Sequence, residues 1–448
     1  MRDVEPQATI SPRVLADEVA GLLAFAATDC DHDGRRLTLM DGTLASRLTR
    51  KTAGGRWIPE IDGLRFVAIG LVLLSHVVTT LALAAHRIVV VGPPFGDTLR
   101  PAGIGVLDQV ARQGSIGVHV FFMISGFVLA LPFVAHRQAG GTRVDLGRYF
   151  RRRLTRIEPP YLIVIGTLFV IGWLIGDRVG LADLAASATY THGLLLHRLS
   201  PLDGVAWSLE VEVQFYVLVP ALALLLCAGR TPIRRQSILL LVVSIIALQV
   251  SGLVTTKHAF AFLGSFLQFF LLGWLLADIY VVDWGTHPPT RRSWDLLSVT
   301  LLPILLVGLA TVPMFEQVVA PWVVFAVGFC AFRGTITRRV LSTTWIAVIG
   351  GMCYSIYLIH YPIFLLLHGA LSPIARLPSP VALIAGSLVL IPLVLLISAL
   401  FFVTVERPCM DPNWWDRFTA RVRSSRTRRA PARVAPAADL VEVGPDGP

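Results

Sequence analysis

Charge is what this chain has least of. Of 448 residues only 15% are Asp, Glu, Lys or Arg, whereas 54% are hydrophobic; a soluble globular domain carries roughly a quarter charged residues. That deficit excludes a disordered chain, a coiled coil and an ordinary soluble enzyme, and it leaves a helical protein that crosses a bilayer several times. Lysine is almost missing, with Lys51 and Lys257 the only two among 39 basic residues, an arginine bias in keeping with a GC-rich bacterial genome. The basic excess of ten calls for no nucleic acid, because membrane proteins concentrate Arg and Lys in their cytoplasmic loops. Cysteine is scarce and unpatterned: Cys30, Cys227, Cys330, Cys353 and Cys409 form no CxxC pair, so neither a metal site nor a disulfide framework is expected. No run shows sustained period-2 alternation, which argues against a β-barrel, and no internal repeat of the transporter kind is visible.

What is present is a series of long apolar runs. A helical span takes about 20 residues, and ten segments qualify: 66–85, 116–134, 160–176, 209–228, 238–254, 259–282, 296–312, 318–332, 344–367 and 381–405. The expected fold is therefore all-α, a polytopic transmembrane bundle of about ten spans. Loops 136–158, 229–236, 283–294 and 333–340 hold fifteen basic residues, and the alternate loops hold seven. The positive-inside rule then places both termini in the cytoplasm of a bacterial cell. Residues 1–57 read as a cytoplasmic extension, or as translation from a start placed too far upstream. Residues 58–410 are the membrane domain, and 411–448 an Arg-rich, disordered cytoplasmic tail that meets lipid headgroups, with Trp414 and Trp415 in the interfacial belt.

Polar groups inside apolar runs are costly and mark candidate sites. Arg65 opens the first span and His76 follows eleven residues later. Eleven residues is about three turns, which puts both side chains on one face roughly 16 Å apart. A cation at the cytoplasmic mouth can hold phosphate while an imidazole deeper in meets the far end of an extended cofactor such as coenzyme A. The alternative is an anchoring Arg and a structural His. The second span reads Gly117-Val-His119-Val-Phe-Phe-Met-Ile-Ser125-Gly-Phe127; His119 and Ser125 are candidates against a background of helix packing. In Arg148-Tyr-Phe-Arg-Arg152-Arg153-Leu-Thr-Arg156-Ile157-Glu158-Pro159 the guanidinium forks of Arg152, Arg153 and Arg156 suit phosphate, unless they serve topology alone. Trp207-Ser-Leu-Glu210-Val-Glu212-Val-Gln-Phe-Tyr216 brings two carboxylates into a span. They point roughly 200° apart and cannot share one pocket; Glu212, the deeper, is either an ion-pair partner or a site residue. His360 stands in Tyr354-Ser-Ile-Tyr357-Leu-Ile-His360, and Glu406-Arg407-Pro408 reads as a helix end with an interfacial ion pair. His192 and His197 are read as solvated.

Five of these stretches, in this order, resemble the acyltransferase-3 family of integral membrane acyltransferases: Asp62-Gly-Leu-Arg65 with His76; Gly-Val-x-x-Phe-Phe-x-x-Ser-Gly-Phe; Arg-Arg-x-x-Arg-Ile; Trp-Ser-Leu-x-x-Glu-x-x-Phe-Tyr; and Tyr-Ser-x-Tyr-Leu-x-His. The Glu-Arg-Pro ending fits too, and the match covers about residues 58–410. The resemblance implies ten spans and transfer of an acyl group, usually acetyl from acetyl-CoA, to hydroxyls of sugars, glycans or antibiotics. It makes His76 and Arg65 the expected core and Glu212 the family carboxylate. It also implies acyl-CoA as a substrate and no tightly bound cofactor. His119 departs from the pattern, which is often acidic there, and Glu158 fills a commonly aromatic or apolar slot. No hydrolase-like domain follows the last span, so a soluble partner is expected to be absent or separately supplied. The competing classes are a transporter of lipid-linked sugars or small molecules and a non-catalytic scaffold. Neither needs a His at fixed reach from an inner-face Arg.

Overall fold

The computed structural model describes residue 48 and residues 57–86, 88–91, 98–101, 106–176, 179–253 and 262–410. The expected extension and the Arg-rich tail lie outside them, apart from the edge positions. The described chain is a helical bundle. Its first helix, α1 (Pro59–Ala84), starts with Pro at N1 and carries Glu60 and Asp62 in its first turn, a favourable placement for proline and for negative charge. There follow α2 (Gly117–Gln138), α3 (Leu146–Leu174), the short α4 (Leu181–Ala188) and α5 (His192–Leu196), α6 (Trp207–Leu226), α7 (Thr231–Val250), α8 (Leu267–Val282), α9 (Ser293–Thr311), α10 (Phe315–Val318), α11 (Ala320–Arg333), α12 (Thr335–Leu341), α13 (Thr344–Gly351), α14 (Cys353–Leu367) and α15 (Ser379–Phe401).

Eight of the described helices are long and apolar enough to cross a membrane, and a ninth if α11 and α12, bent by 89°, count as one span. All ten expected runs contain helix, with two differences. Residues 259–261 of the sixth run lie outside the described residues, and the rest gives the 16 residues of α8, about 24 Å of helix, preceded by a 3-10 turn at Leu263–Ser265. The ninth is broken at Met352, just after Gly350-Gly351. A two-stranded antiparallel ribbon, Ile88–Val91 against Thr98–Pro101, adds β-structure in the loop after α1.

The short α8 is the most enclosed helix: thirteen of its residues are buried. It packs backbone to backbone on α2. A Cβ on Gly126 would collide with the carbonyl of Phe270, and one on Gly273 with that of Met123. Small residues permit this approach, which carries helix association where lipid competes with every apolar contact. Phe270 then stacks on Phe215 of α6 (4.2 Å) and Phe122 of α2 (4.8 Å), fixing three helices against one another.

The segment between α3 and α6 folds over the bundle by polar contacts. Tyr161 donates to the Ser187 carbonyl (3.1 Å), and the Gly193 amide donates to Glu210 (2.8 Å). His192 is fully buried, between Asp183 Oδ1 (3.0 Å) and the Arg198 carbonyl (3.1 Å). The expectation of a solvated His192 is thus corrected: the loop packs as a lid on α6 rather than standing in water. Asp203, also in this loop, is 1% exposed, and its Oδ2 has no hydrogen-bond partner among the described residues. Burial pushes its carboxyl up to about 7, against the opposing hydrogen bond from the Val205 amide.

Two outcomes follow. Gly273→Val should drive α2 and α8 apart and cut the yield of monodisperse protein in detergent several-fold, checked by size-exclusion chromatography; unchanged yield would show the contact to be dispensable. The folded state holds the Asp203 proton up to about pH 7, whereas an unfolded Asp releases it near pH 4. Stability should therefore fall as pH rises through that window. Thermal unfolding midpoints should be lower at pH 8 than at pH 5, and Asp203→Asn should remove this group's share of the difference.

Candidate active site

Five helices line a cavity with about 850 Å³ of empty space, its open mouth included. Its polar lining comes from Arg65 of α1, Ser125 of α2, Arg153 and Arg156 of α3, and Glu212 and Tyr216 of α6, with Tyr354 and Tyr357 of α14 completing one wall. Three of the six acceptor-or-donor residues named first are guanidiniums, and one is a carboxylate. In an apolar bundle such a lining carries net positive charge, the sign that attracts an anion.

Each charge is held from behind. Arg65 Nη1 donates to Asp62 Oδ1 (2.5 Å), one helical turn away, and Asp62 Oδ2 accepts from the Trp57 indole (2.8 Å). Arg156 Nη2 lies 3.9 Å from Glu406 Oε1. Glu406 is fully buried and accepts from the amide (3.0 Å) and hydroxyl (2.5 Å) of Ser355. It is turned inward by a π-helical turn, Phe402–Glu406, a distortion frequent at functional sites. Glu406 is therefore a buried partner of the cavity wall, not the interfacial ion pair expected of the Glu-Arg-Pro ending. The Arg153 guanidinium stands 5.9 Å over the Tyr216 ring.

Glu212 is on the cavity wall, where its Oε1 accepts from Ser125 Oγ and from Tyr216 OH, both at 2.5 Å. Its neighbour Glu210 faces away and accepts from the Gly193 amide in the segment before α6, as the expected 200° separation requires. Ser125 thus acts as a donor to the carboxylate. Arg152 is exposed and absent from the lining. On a helix Arg153, Arg156 and Ile157 share an arc, and Arg152 falls at its edge.

His76 is placed elsewhere. It does not line the cavity with Arg65; its ring packs 5.1 Å from His360 and 5.4 Å from Tyr361. Among the described residues, the lining of the cavity that holds Arg65 does not include His76. Tyr357 joins the two places: it lines the cavity and its ring centre is 6.1 Å from that of His360. Its hydroxyl is bonded to the Val205 carbonyl and to Ser208 (2.9 Å), so the phenol stands as a partition. Tyr354, Tyr357 and Tyr361 follow the i, i+3, i+7 spacing of one helix face, a signal present in the sequence and passed over. Glu406 carried no such face signal, because a π turn brings it behind the wall at Arg156 and Ser355.

His119 is buried among Phe122, Phe266 and Phe269, with Nε2 3.2 Å from Glu316 of α10. Trp207 packs on Phe122 and Phe266 (6.3 and 5.3 Å). Both belong to an aromatic cluster beside the cavity; neither is on its lining. Among the described residues no group of His, Cys, Asp and Glu is arranged to hold a metal ion.

With this geometry in hand, comparison with known proteins is informative. The family model described as an acyltransferase domain matches residues 58–403. The O-acetyltransferase OatA of Staphylococcus aureus is 24% identical over 337 residues, covering 69% of this chain and 51% of that protein. The Bacillus subtilis protein named "Putative peptidoglycan O-acetyltransferase YrhL" is 25% identical over 213 residues, 44% of this chain and 28% of that protein. The chain thus spans about half the length, or less, of these curated relatives. No solved structure matches it. A family match over more than three quarters of the chain, on the same segments that build the cavity, settles its place: this chain belongs to the acyltransferase-3 family.

Proposed function

We propose that the chain is a membrane O-acyltransferase that moves an acyl group, acetyl above all, from acyl-CoA to a hydroxyl of a cell-envelope glycan or glycosylated metabolite. The reading rests on one observation: three guanidiniums, from Arg65, Arg153 and Arg156, converge on a cavity inside an apolar bundle. The phosphates of an acyl-CoA match them in sign and in fork geometry. The names of the matched relatives favour acetyl as the group and a glycan as the acceptor. The clustering of Arg in alternate loops favours entry of the donor from the cytoplasm, with both termini on that side of a bacterial plasma membrane.

In this mechanism Asp62 and Glu406 keep Arg65 and Arg156 oriented, and the acyl end of the donor lies toward Ser208 and Tyr357. Displacement of the Tyr357 ring brings the thioester to His76. His76 accepts the proton of the acceptor hydroxyl as its oxygen attacks the thioester carbonyl. The C–O bond forms, the C–S bond breaks, and the proton passes to the departing thiolate. Glu212, with Ser125 and Tyr216, orients polar atoms of the donor in the cavity and does not touch the imidazole.

The test is thiol release from acetyl-CoA by membranes carrying the full chain, together with base-labile acetate on the glycan of the same cells. Loss of a charge-assisted contact costs roughly 1.5–3 kcal/mol, so Arg153→Ala should raise KM for acetyl-CoA about 10- to 100-fold with little change in kcat. His76→Ala should lower kcat by at least about 100-fold while the protein still inserts and purifies intact. Wild-type membranes that release no thiol, or a fully active His76→Ala variant, would overturn the proposal.

A further inference from the structure

His360 is the one imidazole of the site whose surroundings dictate its tautomer. Its side chain is fully buried in α14. Nδ1 faces two backbone carbonyls, those of Tyr357 (2.7 Å) and Ile356 (3.1 Å). A carbonyl only accepts, so Nδ1 carries the hydrogen, and in a neutral ring Nε2 is then a bare lone pair. That Nε2 is buried and has no hydrogen-bond partner among the described residues. A buried polar atom left unsatisfied is costly and calls for a reason. The ring beside it is His76, with centres 5.1 Å apart and planes inclined at 56°.

That spacing is informative. A ring nitrogen lies about 1.1 Å from the centre of an imidazole, and an N–H···N bond spans about 2.9 Å. Two imidazoles joined in line therefore have centres about 5.1 Å apart. The observed separation of 5.1 Å already suits such a bond. Rotation of the His76 ring about its soft terminal torsion brings one N–H onto His360 Nε2.

Taking His76 as the base of the reaction proposed above, we infer that His360 is its positioning residue: His360 Nε2 accepts one N–H of His76, which turns the other His76 nitrogen toward the acceptor hydroxyl as a free lone pair. When that nitrogen takes the hydroxyl proton, His76 becomes a cation whose inner N–H is already bonded. No proton need move to His360, and the proton on His76 leaves with the thiolate. The device differs from a carboxylate behind a catalytic histidine in being neutral, so an empty site holds no uncompensated ion in the bundle. The backbone carbonyls of Tyr357 and Ile356 are the groups that set the tautomer, which ties the orientation of His76 to the same turn of α14 that carries the Tyr357 partition.

Two variants separate this role from packing. His360→Leu keeps the volume and removes the acceptor; His360→Gln returns an acceptor oxygen close to the Nε2 position. With acetyl-CoA as the probe, His360→Leu should lower kcat for thiol release about 100-fold and leave KM within about twofold. His360→Gln should recover at least a tenth of wild-type kcat. Both should match the wild type in elution and thermal unfolding in detergent. Equal losses in Leu and Gln variants, or a KM effect in place of a kcat effect, would assign His360 to packing. A fully active His360→Leu variant beside a dead His76→Ala variant would remove His360 from the mechanism and leave His76 as the base. An active His76→Ala variant would overturn the base assignment itself.

Discussion

A guanidinium carried into an apolar bundle must have a counter-charge or another favourable partner behind it, and the placement of those partners governs the rest of this site. Arg65 gets its partner from its own helix, one turn back at Asp62. Arg156 gets one from the far end of the chain, at Glu406. Arg153 faces the Tyr216 ring, which attracts a cation without carrying a full charge. Asp62 and Glu406 stand off the cavity lining, leaving guanidinium surface of Arg65 and Arg156 toward the space between the helices, whereas Tyr216 shares the lining with Arg153. A site built this way is neutral enough to fold in lipid and basic enough on its lining to accept an anion.

The wall exists because helices approach closely enough to hold it still. The contact between α2 and α8 at Gly126 and Gly273 sets Phe270 on Phe215 and Phe122, and so fixes α2 relative to α6. That is what lets Ser125 of one helix donate to Glu212 of another at 2.5 Å. A carboxylate with two hydroxyl donors is oriented, and its remaining capacity points where the donors are not. Packing at a pair of glycines is in this way felt at a carboxylate two helices away.

Composition and hydropathy were enough to read the bundle, and the ordered motifs were enough to read the family. Five of the candidates that the residue pattern marks, Arg65, Ser125, Arg153, Arg156 and Glu212, are on the lining of one cavity. The failures have physical causes. Arg65 and His76 share a face of α1, as eleven-residue spacing demands, but a shared face does not make a shared space: the cavity takes Arg65 and not His76 into its lining, and Tyr357, from a helix nearly 300 positions later in the chain, lines that cavity and packs near His360. His192 was read as solvated because loop residues usually are, whereas Asp183 and the Arg198 carbonyl enclose it. The sixth span was read too long because apolar composition continues through a 3-10 turn that ends the helix.

The π turn at Phe402–Glu406 has a consequence for how this protein can change over time. A π turn holds one residue more than an α turn in the same advance, and that extra residue is what swings Glu406 inward to Ser355. Val403 and Thr404 on the turn are exposed, so their identities are open to drift. The number of residues is not, since deleting one would rotate Glu406 by about 100° and take the carboxylate away from Arg156. The constraint on this stretch is therefore one of spacing more than of side chains: positions 403 and 404 should accept substitution where loss of one residue would not be accepted.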